Sequence, residues 1–167
     1  KRKIPVIEGW GLTETSPCCT LTDPIQKRTN GLVGKPIPGV QIKLDEEGEI
    51  LVKGPNVMFG YYKNEEANAR AFNLEGWFKT GDIGEITDYG LRLISRKDRI
   101  FKLSNGEKVI PTDLESAIHK QCHYVQYILV TGSGADYPVA LIFPNKNLLN
   151  QPDYLRTMEE GCFCPRN

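Results

Sequence analysis

Gly9-Trp10-Gly11-Leu12-Thr13-Glu14-Thr15 places an aromatic ring, hydroxyls and a carboxylate on one short, glycine-flanked loop. Glycine allows close backbone approach and positive φ angles that a bulky residue resists. A flat indole, a Thr13 hydroxyl and a Glu14 carboxylate within a turn's reach suit a nucleotide. The ring can pack on a base, the hydroxyl can meet a phosphate oxygen, and the hard anion can meet magnesium. A tryptophan in a core with a turn at its flank explains the same residues equally well. Further along, residues 75–82 form a glycine-punctuated loop that delivers Asp82 to the start of a strand. Residues 91–106 begin as an alternating apolar strand, pass through a charge cluster and close on Asn105-Gly106. Five basic residues (Arg92, Arg96, Lys97, Arg99, Lys102) stand there against Asp98 alone. Two readings fit that stretch: a junction between two units facing a phosphate-bearing ligand, or a solvated edge strand with a turn.

The elements that must position these groups follow from patterning. Residues 4–8 read as a short buried strand. Residues 17–35 lack a sustained period and read mostly as loop, and the prolines of residues 31–39 argue against a central strand. Residues 40–44 and 49–53 alternate cleanly around Asp45-Glu46-Glu47-Gly48, which predicts a hairpin with one buried face. The cluster Met58, Phe59, Tyr61 and Tyr62 predicts packing beneath a loop. Asn64 caps a predicted helix to Phe72, with Glu65 and Glu66 well placed in its first turn. Residues 82–86 and 91–94 predict a second hairpin, so residues 1–94 read as an all-β piece with little core of its own. Then the pattern changes. A tight turn at residues 104–107 separates two short strands. Thr112-Asp113-Leu114-Glu115 has capping-box spacing and starts a predicted helix to about Gln121, with Leu114, Ala117 and Ile118 inward. Residues 124–131 and 137–143 predict paired strands. The order β-β-α-β-β marks a small α+β unit, and a short helix is expected over residues 154–160.

Composition narrows the class. The 167 residues are 40% hydrophobic and 25% charged, with 21 basic and 21 acidic side chains. That balance describes a globular chain with no global field for nucleic acid or an anionic membrane. No apolar run approaches the roughly 20 residues needed to cross a bilayer, and no signal-peptide core follows the basic start. A cytoplasmic, reducing setting is therefore expected. Cys18, Cys19, Cys122, Cys162 and Cys164 make an odd count without zinc-knuckle spacing, and are expected to be unpaired thiols.

Four motifs occur in order: Gly9-Trp-Gly-Leu-Thr-Glu-Thr, Gly48-Glu-Ile-Leu-Val-Lys-Gly-Pro, Gly76-Trp-Phe-Lys-Thr-Gly-Asp-Ile-Gly, and Arg96-Lys-Asp-Arg-Ile-Phe-Lys-Leu with Gly106-Glu and Pro111. This succession resembles the adenylate-forming superfamily of acyl-CoA synthetases, luciferases and peptide-synthetase adenylation domains. The wording Phe101-Lys-Leu-Ser-Asn-Gly-Glu is most similar to long-chain fatty acyl-CoA synthetases. The resemblance implies a two-step ligase: a carboxylate and ATP give acyl-adenylate and pyrophosphate, and coenzyme A then displaces AMP. It implies an α+β fold in which residues 1–94 end a large region as a distorted barrel, residues 95–99 are a hinge, and residues 100–167 begin a mobile lid. By position it implies that Trp10 packs on adenine beside Gly11, Thr13 contacts phosphate, and Glu14 helps hold Mg²⁺. Asp82 would accept from the ribose hydroxyls, Arg96 would lie near ribose and phosphate, and Asp98 would be the pivot. Lys102 and Gly106 would approach the coenzyme A tunnel in the second step.

The departures are Ser95, where Gly or Asp commonly precedes the arginine, and two absences. Nothing in the chain resembles the family's Ser/Thr/Gly-rich phosphate loop or the Gly-Lys context of its catalytic lysine. The expectation is a piece of a longer enzyme, inactive alone, with that lysine beyond Asn167. Expected partners are the small molecules fatty acid, ATP and coenzyme A, with no nucleic acid. Peripheral membrane association of the parent and the oligomeric state stay open. The other readings are an adenylating enzyme with a carrier-protein or amine acceptor, and a non-catalytic module whose basic cluster binds a polyanion.

Overall fold

The computed structural model describes residues 4–25, 28–122, 124–145 and 148. The expected helix over residues 154–160, Cys162 and Cys164 lie outside these. By internal packing the chain divides into Lys1–Lys97 and Asp98–Asn167. The architecture is α+β and rich in strands.

The first unit is built on one sheet of seven strands: β1 (Gly9–Trp10), β2 (Thr20–Leu21), β3 (Leu32–Pro36), β4 (Gln41–Leu44), β5 (Glu49–Lys53), β6 (Phe78–Thr87) and β7 (Gly90–Arg96). Their spatial order is β1-β2-β3-β7-β6-β5-β4, all neighbours antiparallel. The sheet is open, with β1 and β4 at its edges, and does not close into the expected barrel. The β4–β5 hairpin forms in the predicted register, Ile42 opposite Val52 and Leu44 opposite Ile50. The second hairpin also forms but is longer than its alternation suggested, because β6 starts at Phe78.

Several expectations for this unit are overturned. Residues 4–8 are not a strand, and Ile4, Val6 and Ile7 are exposed. The ladder starts instead at Gly9, where β2 supplies a partner. The stretch read as loop contains β2 and β3, and β3 sits inside the sheet despite its proline. Pro36 is its last residue, opposite Thr20 of β2, and the ladder to β7 ends at Gly34, so the missing N–H interrupts no bond to β7. The charged passage is no edge strand, since β7 lies between β3 and β6. The unit also has a core of its own: Trp10, Cys19, Val33, Val40, Ile50, Val52 and Leu91. The aromatic run does not pack beneath its loop. Phe59 and Tyr62 are largely exposed.

Helix α1 (Glu65–Ala71) starts where predicted. Asn64 Oδ1 accepts from Ala67 N at 3.0 Å, and Glu65 and Glu66 occupy the first turn. Asn64→Ala should cost about 1 kcal/mol through loss of this cap. Thermal unfolding of the variant beside the parent chain checks that value.

The second unit has strands β8 (Phe101–Lys102) and β9 (Lys108–Val109), helix α2 (Pro111–Gln121), and strands β10 (Val125–Thr131) and β11 (Val139–Pro144). This is the predicted β-β-α-β-β order. Among the described residues, Leu103, Val109, Pro111, Cys122, Val125 and Val130 are buried in it. The helix entry differs from the expectation: Ile110 takes the cap position without a side-chain capping bond, and Pro111 is the first helical residue. Proline's fixed φ suits that position, and its missing N–H costs nothing there. The inward face differs too. Leu114 and Ala117 are exposed, while Pro111, Glu115, Ile118 and Cys122 recur on the covered face. The physical reason is a long-range ion pair that makes Glu115 acceptable inside, as described next.

Candidate nucleotide-binding site

Asp82 is the most constrained of the predicted site residues. It is 8% exposed, on β6, directly opposite Arg96 of β7. Its Oδ2 accepts from Trp10 Nε1 at 2.8 Å, and its Oδ1 accepts from Arg96 Nη1 at 2.9 Å. Its backbone N–H donates to Thr80 Oγ1, whose hydroxyl donates to the Ile50 carbonyl. An ionised carboxylate has about four lone-pair sites, so two remain for further donors. Arg96 is half exposed on its side chain, and its Nη1 also lies 3.4 Å from the Thr80 carbonyl oxygen.

Trp10 sits beside Asp82. Its ring lies in the core cluster with 8% exposure, and its N–H is committed to Asp82. The indole therefore links the Gly9–Thr15 loop to β6, and offers little free face. Gly11 has a packing reason to be glycine: a Cβ there would stand 1.7 Å from the Pro17 carbonyl oxygen.

Thr13 and Glu14 lie on a single 3₁₀ turn, Thr13–Thr15, with Thr13 exposed and Glu14 half-buried. The loop after β5 braces this turn. Asn56 Nδ2 donates to the carbonyls of Thr15 and Cys18, and Met58 N donates to the Glu14 carbonyl. The Tyr61 hydroxyl donates to Glu14 Oε1 at 2.9 Å, and that carboxylate pushes the phenol's ionisation upward. Asn56 and Tyr61 were not among the predicted site residues. Only three-dimensional proximity marks them, since they stand more than forty residues from the turn they brace. Among the described residues, no three His, Cys, Asp or Glu side chains gather as a metal site. A lone carboxylate such as Glu14 fits Mg²⁺ that arrives with phosphate and water as its other ligands.

The basic cluster is largely matched by acids. Arg92 Nε pairs with Glu85 at 2.7 Å, and Arg96 pairs with Asp82. Lys97 Nζ lies 2.6 Å from Glu47 and 2.9 Å from Glu49, and these two carboxylates hold its ammonium charged well above the ordinary lysine range. Arg99 Nη2 pairs with Glu115 at 2.6 Å. The excess of positive charge in the sequence is thus balanced in space. Asp98 follows Lys97 in a short 3₁₀ turn, Lys97–Arg99, at the boundary between the units. Lys102 is exposed on β8 opposite Lys108, and Gly106 is exposed in the next turn with φ +85°. Thus Trp10, Asp82 and Arg96 come together, as do Thr13 and Glu14. Lys102 and Gly106 belong to the second unit.

The profile of the AMP-binding enzyme family matches residues 1–62, and that of the AMP-binding enzyme C-terminal domain matches residues 98–160. The chain belongs to the AMP-binding enzymes. It is 40% identical over 157 residues to long-chain-fatty-acid–CoA ligase 6 of Rattus norvegicus, covering 86% of this chain and 22% of that one. It is 36% identical over 150 residues to 2-succinylbenzoate–CoA ligase of Listeria innocua, covering 87% of this chain and 32% of that one. The structure of Bacillus subtilis O-succinylbenzoate coenzyme A synthetase in complex with ATP and magnesium ion superposes with a TM-score of 0.74 at 30% identity, covering 95% of this chain and 35% of that one. The chain therefore spans about a third or less of the AMP-binding enzymes it matches.

Proposed function

We propose that this chain is part of an ATP- and Mg²⁺-dependent acyl-CoA ligase acting on long-chain fatty acids, and that alone it is inactive. The observation that carries the reading is Asp82: a nearly buried carboxylate, oriented by Trp10 and Arg96, with acceptor capacity to spare. In this reading Asp82 accepts from the ribose hydroxyls of ATP with charge assistance. Arg96 faces the ribose and phosphate side, and Thr13 meets a phosphate oxygen. Glu14, oriented by Tyr61, contributes one oxygen to Mg²⁺, which would neutralise phosphate charge when bound. Trp10 acts mainly by fixing the Asp82 carboxylate. Asp98 is the pivot between the units, and Lys102 with Gly106 serves the coenzyme A step.

The fatty-acid relative supports the long-chain substrate. The Listeria relative favours a second reading, a ligase for an aromatic dicarboxylate such as 2-succinylbenzoate, on the same nucleotide site. ATP–pyrophosphate exchange by the complete protein, run with fatty acids of graded length and with 2-succinylbenzoate, separates them. Exchange is expected with long-chain acids. Exchange with 2-succinylbenzoate alone would replace that substrate, and none with any carboxylic acid would remove the ligase reading.

A further inference from the structure

Glu49 is 3% exposed, yet it stood in the sequence as an ordinary first residue of a strand. A buried carboxylate is costly unless its oxygens find donors and a countercharge. Here each oxygen has a distinct partner. Oε1 accepts from the backbone N–H of Gly81 at 3.0 Å, and Oε2 accepts from Lys97 Nζ at 2.9 Å. Gly81 immediately precedes Asp82, and Lys97 immediately follows Arg96. Asp82 and Arg96 are themselves paired across β6 and β7. One carboxylate therefore ties together the residues flanking both members of the pair. Gly81 has a φ of +72°, and a Cβ there would reach to 3.4 Å from Arg96 Nη2. Glu47, at the turn between β4 and β5, gives Lys97 a second carboxylate.

We propose that Glu49 and Lys97 are positioning residues for the Asp82–Arg96 pair. Glu49 sets the backbone that carries Asp82. Through Lys97 it also anchors the last residue of the first unit to the sheet, so that any pivoting starts at Asp98. The consequence for nucleotide rests on the ligase reading above; the brace itself does not.

Two measurements separate the brace from that reading. In hydrogen exchange of the chain, Glu49→Ala should speed the Gly81 amide roughly tenfold or more, the scale of losing a hydrogen bond to a charged acceptor. Glu49→Gln should stay near the parent rate, because its amide oxygen still accepts from Gly81. In the complete ligase, Lys97→Met should raise the KM for ATP about tenfold with a smaller change in kcat, and Lys97→Arg should restore most of it, since a guanidinium can still bridge two carboxylates. Equal Gly81 exchange in folded Glu49→Ala and parent would overturn the brace. An unchanged KM for ATP in Lys97→Met would overturn the positioning role, and this arm stands even where Glu49→Ala does not fold. A complete protein inactive with every acid would fail the ligase reading and leave the exchange result to decide the brace.

Discussion

Asp82→Asn should lower the stability of the first unit by about 2 kcal/mol and, on the proposed role of Asp82 in holding ribose, weaken ATP binding by the complete protein roughly ten- to hundredfold. Both effects come from the same two oxygens. In the parent, one accepts from Trp10 and the other from Arg96, so both donors are satisfied. Asparagine keeps the shape but offers one oxygen and one NH₂ group. Whichever way it turns, a donor faces a donor. If the NH₂ meets Trp10, a buried indole N–H is left without an acceptor, at about 1–3 kcal/mol. If it meets Arg96, part of the loss is softened by water, because that side chain is 47% exposed. The ligand effect is larger than one bond, since the spare lone pairs lose their charge as well. Urea unfolding of the chain followed by tryptophan fluorescence reads the first quantity, because Trp10 itself contacts the changed atom. Calorimetric titration of ATP into the complete protein reads the second. An unchanged unfolding midpoint would show that the Asp82 contacts contribute nothing to the fold.

What could be read from the sequence follows the range of the interactions. Local alternation located the β4–β5 hairpin, and the Asn64 cap located α1, because each is decided within a few residues. The β-β-α-β-β order was legible for the same reason. The strand order was not. Nothing local shows that β7 leaves its hairpin partner β6 on one side and takes β3 on the other, across some sixty residues of chain. Trp10 was read as either a ring for a ligand or a core residue, since an indole serves both and only the position of Asp82, 72 residues away, decides where its N–H goes. The burial of Glu49 and the partial burial of Glu115 were invisible in the sequence. A charged residue becomes acceptable inside only through a distant partner, Lys97 in one case and Arg99 in the other. The ordered motifs did carry the family, because they sample the site at several separated points.

Glu115 in α2 supports the second unit as Asp82 supports the first. Its Oε1 accepts from Arg99 Nη2 and from the Val130 backbone N–H at 2.9 Å, so a single oxygen ties the helix to the chain after the boundary and to β10. Burial pushes its ionisation upward, but the Arg99 guanidinium and the Val130 N–H outweigh that and hold the carboxyl below its ordinary value of 4.5. A carboxyl depressed in the folded state stabilises it fully above the unfolded value. The contribution is lost as pH falls through the folded value. Glu115→Ala should therefore destabilise the unit by roughly 1–2 kcal/mol near neutral pH, discounted for Arg99, whose side chain is 37% exposed. The gap between variant and parent should narrow in acid, below 4.5. The Val130 amide is the local reporter: its exchange should rise roughly tenfold in the variant near neutral pH, since its acceptor is gone. Glu115→Gln separates the two roles, because its amide oxygen can keep Val130 while losing the charge that holds Arg99. No gap between Glu115→Gln and the parent near neutral pH would mean that the ion pair contributes nothing, and that the backbone bond to β10 carries the whole effect.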